Sequence, residues 1–468
     1  MYILQKLKER VSETPDKIIL EREVKVSYAE FDCQTDALAK KIIGFGCPAN
    51  SVIAVQCKDS LRFAFYFYGV LKASCRCAVI NSTFSAETVC ATLRQNNIKY
   101  YAGDLEEIGG ISVLNFEACG YDEGVRLQAA EQEFPLICFT SGTTGNPKPI
   151  DINILYSENF ISFLGRLGKE YDVNSFIFVS ANSFITGINN LLWAVSYGVR
   201  TVFLENEAQN KNVFKILDTV KAHSIEGIMC PTAIIKLISG NTGIINRLPH
   251  SLKFAFFGGE SITFSKEAIC ALKERDITFV NCYGMTEVCG ATSHVIDWSA
   301  IESNVPVPAG KPVPNIEIKL RPLDDGSSDG RGLVSIRLNK NNRVLTEWHE
   351  SQDCAVFDGE TLIVLGRNDD CCKVRGYFVN LFGVETVISQ ISYVNDVVVA
   401  VLPDNRQVYH ICVAIAMGEP LERLKNDLEK LLPEYMQPTR YMIVDSIPYN
   451  NSFKKNRSKI KEWFRGKV

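Results

Sequence analysis

Short apolar runs alternate with helix-periodic stretches along most of this chain, and that alternation restricts its fold more than any other feature. Val24 to Tyr28 reads as a strand and turn, and Tyr28 to Gly46 as a helix stopped by glycine. Ser51 to Gln56 reads as a buried strand, Ser60 to Leu71 as a helix, Cys77 to Ile80 as a strand and Ser85 to Gln95 as a helix. The pattern returns with a helix over Leu155–Lys169, a strand over Phe176–Ser180, an apolar helix over Gly187–Tyr197 and a strand over Arg200–Leu204. A helix over Asn212–His223 and a strand over Gly227–Thr232 follow, the strand ending in a stop signal. Strands alternating with helices argue for an α/β fold with a mainly parallel sheet. A chain of 468 residues is too long for one core, so two or more domains are expected. The stretch 104–134 shows no regular pattern.

One segment breaks the alternation with chemistry. The apolar strand Phe134 to Phe139 runs into Thr140-Ser141-Gly142-Thr143-Thr144-Gly145-Asn146-Pro147-Lys148. Glycines permit a tight turn and close approach of backbone N–H groups to a ligand, and successive N–H groups in a turn form a concavity for anions. The hydroxyls add donors and Lys148 adds a positive charge, which together suit a triphosphate. The order GxxxxGK[ST] is absent, so this is not a Walker A loop.

This loop resembles the phosphate loop of the adenylate-forming superfamily, which includes acyl-CoA synthetases, aryl-acid ligases, amino-acid adenylation domains and luciferases. Further segments resemble that superfamily in the same order. Lys253 to Phe257 is a buried strand entering Gly258-Gly259-Glu260, similar to the family's wall of the adenine pocket. Asn281-Cys282-Tyr283-Gly284-Met285-Thr286-Glu287 resembles the family's YGxTE signature. Here Tyr283 offers a ring for adenine to stack on, Thr286 a hydroxyl for a phosphate, and Glu287 a hard oxygen for Mg2+. Asp353, after Ser351-Gln352 where the family has Thr-Gly, takes the place of the ribose-binding aspartate. Gly366 to Gly376 matches the hinge motif GRxDDxxKxxG, which makes Arg367 a ribose contact, Asp369 the pivot and Gly376 a residue of the thiol tunnel. Near the end, Ile447-Pro448-Tyr449-Asn450-Asn451-Ser452-Phe453-Lys454-Lys455 carries the family's adenylation lysine at Lys454. Phe453 stands where glycine is expected, which leaves Lys455 as a competitor.

The resemblance implies a large N-terminal domain over 1–367 with several subdomains and mainly parallel sheets, and a small mobile α+β domain over 368–468. Strands over Val394–Leu402 and His410–Ala416 and a helix over Leu421–Leu432 agree with that second domain. The implied reaction joins a carboxylic acid to AMP with release of pyrophosphate, using ATP and Mg2+. The acyl group then passes to a thiol, either CoA or the phosphopantetheine arm of an acyl carrier protein. Pro149 in place of glycine, Ser351-Gln352 and Phe453 depart from the family pattern, and a nucleotide-binding homologue without catalysis is the reading they favour.

The acid itself is constrained by one position. Amino-acid adenylation domains carry an aspartate that pairs with the substrate's α-amino group, and counting back from Gly198 places Ile185 there. An apolar residue leaves a buried ammonium unpaired, which is costly. The expected acid therefore lacks an α-amino group and is an aryl or fatty acid, with an amino-acid adenylating enzyme as the alternative. Asn182, Ile185 and Cys230 are candidate pocket residues, and Trp193 and Phe257 are either pocket or core.

Composition excludes several other classes. Net charge is −4 with both signs interspersed, which gives no nucleic-acid footprint. The richest apolar run, Phe63 to Leu71, is half what a bilayer needs, and the amphipathic N-terminus has no continuous apolar core of a signal peptide. The 16 cysteines include Cys75-x-Cys77 and adjacent Cys371 and Cys372 but no CxxC pair, and the five histidines are scattered. The cysteines are read as reduced thiols of a cytoplasmic protein.

Overall fold

In the computed structural model the described residues are 2–114, 136–140, 147–205, 209–210, 212–323, 330–367, 371–374, 377–404, 408–449 and 455–465. They divide into two compact units. The first is Met1–Ser303 with Pro312–Ile316, and the second is Asn304–Lys311 with Glu317–Val468. The second compact unit thus takes in an antiparallel sheet that precedes residue 368.

Two sheets build the first unit, and both are mainly parallel. In the larger, eight of the nine strands lie in the order Cys289–Val295, Thr278–Met285, Phe254–Gly258, Gly227–Pro231, Ser175–Phe178, Arg200–Phe203, Ile18–Glu21 and Lys25–Ser27. The pairs from Thr278–Met285 through Ile18–Glu21 are parallel, and the first and last pairs are antiparallel. The second sheet runs Ser112–Val113, Tyr100–Gly103, Val52–Gln56, Arg76–Val79, Leu136–Thr140 and Lys148–Ile152, and only its last pair is antiparallel. Parallel strands covered on both faces need apolar residues at every position. Ser175–Phe178 is buried throughout, as is all of Val52–Gln56 after Val52.

The crossover helices start where the sequence provides caps. Ser27 and Glu30 form a capping box at Tyr28–Gly44, and Asp59 accepts the Leu61 and Arg62 N–H groups at Ser60–Lys72. Ser85, Asn153 and Asn212 cap Ala86–Gln95, Ile154–Glu170 and Val213–Ala222 in the same way. Each such side chain satisfies N–H groups that the first helical turn leaves open. The helix Thr232–Ser239 departs from expectation, since the stop at Pro231-Thr232 marks a helix start as well as a strand end.

The second unit begins with the antiparallel sheet Ile316–Pro322, Gly332–Lys340, His349–Asp358 and Thr361–Arg367, with Arg343–Val344 paired to Gly332–Lys340. Residues 324–329, between its first two strands, lie outside the described residues. Next come the hairpin Cys371–Val374 and Tyr377–Asn380 and the helix Leu381–Ser389. A three-stranded sheet, Val394–Pro403, Tyr409–Met417 and Arg440–Ile443, completes the unit with the helices Leu421–Leu431 and Arg457–Arg465. Its side chains alternate between two cores. Val397, Val399, Ile411, Val413 and Ile415 pack with Val384, Ile388, Leu424 and Leu428. Val398, Ala400, Leu402, Cys412 and Ala414 pack with Ile460 and Phe464. A strand has period two, so covering both faces makes Val397–Leu402 apolar without a break.

Candidate active site

In open α/β sheets, ligands bind beyond the carboxyl ends of the parallel strands. The first unit gathers its expected nucleotide residues there. Gly258 ends its strand beside Cys282, and Phe257 lies beside Asn281. A Cβ at Gly258 would stand 2.3 Å from the Cys282 carbonyl oxygen, so the close approach of the two strands requires glycine. Gly259 follows, and Glu260 is then held twice. Its backbone oxygen accepts from the Thr232 hydroxyl at 3.2 Å, and its carboxylate accepts from Lys236 Nζ at 2.9 Å. Sequence reading missed both partners because it missed their helix. The signal was present in the apolar spacing of Ile234, Ile235 and Ile238 after Pro231.

Most of the signature is strand rather than turn. Asn281 to Met285 forms the end of Thr278–Met285, which reverses through Thr286 and Glu287 into Cys289–Val295. Tyr283 pairs with Thr292, Gly284 with Gly290 and Met285 with Cys289, with a register shift between Tyr283 and Gly284. Three features tighten this hairpin. The Val288 N–H donates to the Met285 carbonyl at 3.2 Å, Cys289 takes a left-handed φ of 59°, and a Cβ at Gly284 would meet the Cys289 oxygen at 1.7 Å. The Cys289 thiol is buried against the Ser157 hydroxyl at 3.3 Å. Burial pushes the Cys282 thiol up to about 12 and that of Cys289 up to about 11, so both stay protonated and neither serves as a nucleophile at neutral pH.

Glu287 sits half-buried at the tip, and among the described residues its carboxylate makes no hydrogen bond or ion pair. That arrangement suits Mg2+, which takes one or two carboxylates and completes its shell with phosphates and water. In the other sheet Thr140 pairs with Lys148 across the antiparallel strands, which brings the two ends of the expected phosphate loop together. Lys148 is exposed. Ser141, Gly142, Thr143, Thr144 and Gly145 lie outside the described residues.

The candidate acid-pocket residues are also in this unit. Asn182 is buried and its Nδ2 donates to the Cys57 carbonyl at 3.3 Å. Cys230 is buried opposite Phe257, and Trp193 and Phe257 are core side chains. Ile185 is half-buried in the first turn of Ile185–Tyr197. One turn further on the same face stands Asn189, followed by Asn190, both 1% exposed in a helix otherwise rich in Ile, Leu and Trp. Asn189 lies beside the Cys289 thiol, and the Asn190 side chain makes no hydrogen bond among the described residues. A pair of asparagines inside an apolar helix was the sequence signal for this feature, and it was passed over.

The second unit brings its two expected ribose contacts together. Asp353 and Arg367 are direct cross-strand partners in the antiparallel pair His349–Asp358 and Thr361–Arg367, so their side chains share one face. The Asp353 N–H donates to Ser351 Oγ at 3.0 Å. Asp369, Gly376 and Lys454 lie outside the described residues. Lys455 is described and is engaged elsewhere, in ion pairs with Glu385 at 3.0 Å and Asp396 at 3.1 Å.

A mainly parallel sheet thus carries at its carboxyl edge a glycine-cornered strand end, an aromatic ring and a carboxylate that is unpaired among the described residues. The chain belongs to the AMP-binding enzyme family, whose model matches residues 7–332. It is 25% identical, over 98% of its length, to gramicidin S synthase 2 of Brevibacillus brevis, and it spans 11% of that protein's length. Tyrocidine synthase 3 of Brevibacillus parabrevis is 24% identical over 97% of the chain, which spans 8% of that relative. Among solved structures, ATP-bound MatB of Rhodopseudomonas palustris has a TM-score of 0.84 at 15% identity, with 99% of each chain covered. O-succinylbenzoate coenzyme A synthetase of Bacillus subtilis, in complex with ATP and magnesium ion, has a TM-score of 0.80 at 18% identity, covering 97% of this chain and 99% of its own. These likenesses share the fold of adenylate-forming enzymes. Among the described residues no helix is long and apolar enough to cross a membrane.

Proposed function

We propose that this chain is an acid–thiol ligase: it activates a carboxylic acid lacking an α-amino group as acyl-AMP and passes the acyl group to CoA or a carrier-protein phosphopantetheine thiol. The observation that carries the reading is the Tyr283–Glu287 hairpin, which presents a ring, a hydroxyl and an unpaired carboxylate at the carboxyl end of the parallel sheet. The structure of O-succinylbenzoate coenzyme A synthetase holds ATP and magnesium ion, which supports both as ligands here.

The chemistry follows from charge. A carboxylate attacks the α-phosphorus of ATP, the bond to the β-phosphate oxygen breaks, and pyrophosphate leaves with the electron pair. Two anions must meet, so the protein's task is positioning and electrostatic stabilisation. Mg2+ held by Glu287 would supply a Lewis acid for the phosphate oxygens. Lys148 and the Thr140–Gly145 loop hold the departing pyrophosphate, and Thr286 donates to a phosphate. Tyr283, with Gly258, Gly259, Glu260, Asn281, Cys282 and Gly284 around it, receives the adenine. Asp353 accepts from the ribose hydroxyls beside Arg367, and Lys454 bridges the acid and the α-phosphate. The thiol then attacks the acyl carbon and AMP leaves, after residues 368–468 turn about Asp369 and bring Gly376 to the thiol path. Asp353→Asn is expected to raise the KM for ATP by roughly tenfold, the effect of about one charge-assisted hydrogen bond, as read from initial rates at varied ATP.

Ile185 supports an amine-free acid, and the buried carboxamides of Asn189 and Asn190 favour one with hydrogen-bonding substituents over a plain alkyl chain, because buried amides require partners. The test is product analysis by mass spectrometry, offering hydroxylated aryl acids, fatty acids and amino acids with CoA or a phosphopantetheine-bearing carrier. Thioester from a polar amine-free acid is expected. Thioester or adenylate from amino acids alone would overturn the argument from Ile185. The amino-acid reading keeps standing as the second one because gramicidin S synthase 2 and tyrocidine synthase 3 match nearly the whole chain.

A further inference from the structure

Val394–Pro403 lies at an edge of its three-stranded sheet, so among the described residues one side of its backbone has no strand to pair with. Open edges leave N–H and C=O groups that proteins cover or blunt. Here charged side chains cover it. Glu385, on the helix of one core, accepts the Val399 N–H at 3.0 Å through Oε2. Lys455 Nζ donates to the Val397 carbonyl, and Arg457 Nε donates to the Val399 carbonyl at 3.4 Å. The same three side chains pair with one another. Glu385 Oε1 receives Lys455 at 3.0 Å and Oε2 receives Arg457 Nη2 at 2.9 Å. Asp396 adds a second carboxylate 3.1 Å from Lys455, and its other oxygen accepts from the Tyr449 hydroxyl at 2.8 Å.

The cluster holds two acids and two bases and is therefore neutral, as a largely buried group of charges must be. Glu385 is 6% exposed. Burial works against the charge on Lys455, but Glu385 and Asp396 outweigh it and hold the lysine's pKa above its ordinary value. Backbone contacts close the same segment: Tyr449 and Lys455 form an antiparallel bridge, and the Asn456 N–H donates to the Pro448 carbonyl at 2.8 Å. Tyr449 and Lys455 are thereby both tied to the edge strand, and Lys454 directly precedes Lys455 in the sequence.

We infer that Glu385, Asp396, Lys455 and Arg457 form a girdle over the sheet edge that positions the segment carrying Lys454 for acyl-adenylate formation, with Lys455 a positioning residue and not a second adenylation lysine. The inference rests on the proposed ligase activity for its catalytic part. Its structural part, the hold on Tyr449 and on Lys455–Arg457, stands on the contacts alone.

The experiment compares full-length Lys455→Ala, Lys455→Arg and Glu385→Gln with the unmodified chain in three measurements. The first is exchange of labelled pyrophosphate into ATP with an accepted acid, and the second is thioester formation from acyl-adenylate supplied ready-made. The third is tryptic cleavage within residues 449–457 under native conditions. Lys455→Ala is expected to lower exchange by about tenfold to a hundredfold, the cost of misplacing a reacting group by about 1 Å, while thioester formation from supplied adenylate is kept. Lys455→Arg restores most of the exchange because it retains the charge. Glu385→Gln speeds cleavage in the segment and leaves every tryptic site intact. Equal loss of both half-reactions together with a lowered melting temperature would reduce the cluster to a fold contact and overturn the positioning role. Unchanged exchange in Lys455→Ala would do the same. If the unmodified chain forms no adenylate, the ligase reading fails, and the cleavage rates alone then decide whether the girdle holds the segment.

Discussion

Glu287→Gln is expected to lower pyrophosphate exchange by on the order of 10²- to 10³-fold and to leave the protein folded. The size is that of removing one group aimed at charge developing in a transition state, here through the loss of a hard anionic ligand for Mg2+. The fold survives because the Glu287 carboxylate makes no hydrogen bond or ion pair among the described residues, so the hairpin tip loses no contact. Raised Mg2+ should recover part of the loss, since the amide remains an oxygen ligand of lower affinity. The measurement is exchange rate against Mg2+ concentration, with melting temperature alongside. A rate within a few-fold of the unmodified chain at all Mg2+ concentrations would remove Glu287 from the reaction.

The second large effect is on the hairpin itself. Gly284→Ala places a methyl group where the Cys289 backbone oxygen already is, 1.7 Å from the ideal Cβ. Backbone cannot give way as a flexible side chain does, so the two strands must part. Overpacking of this kind costs about 1–3 kcal/mol or more. Tyr283 and Glu287 stand on either side of Gly284, so nucleotide binding should fall with stability. Gly44→Ala is the control, because nothing lies within 4 Å of a Cβ there and the residue ends a helix. It is expected to be neutral or slightly stabilising. Denaturant melts of the two variants, with ATP titrations, check the contrast. Equal melts would show that the hairpin relaxes freely and that its close approach is not required.

Much of the architecture could be read in the chain because burial on both faces writes strands as unbroken apolar runs. Ser175–Phe178 and Val397–Leu402 are visible for that reason, and the helices between them by their caps and spacing. The helix Thr232–Ser239 escaped because Pro231-Thr232 ends one element and starts the next in the same two residues. Pairing across strands is less visible, since it depends on register. Asp353 and Arg367 were expected in one role, but nothing in their spacing shows that they face each other. The choice between Lys454 and Lys455 could not be made from the motif, because Phe453 had displaced the glycine that sets it. The partners of Lys455, Glu385 and Asp396, lie a long way back in the chain and are equally invisible to the motif. The compact units likewise depend on contacts at a distance: Glu317–Arg367 groups with the later residues, which no local pattern in the chain shows.

Formation of an acyl-adenylate is the central claim, and acid-dependent exchange of labelled pyrophosphate into ATP tests it most directly, with Lys454→Ala run beside the unmodified chain. The account predicts exchange with an amine-free carboxylic acid that is lost in Lys454→Ala. Tight ATP binding with no exchange across aryl, fatty and amino acids would contradict it and identify a nucleotide-binding homologue without catalysis.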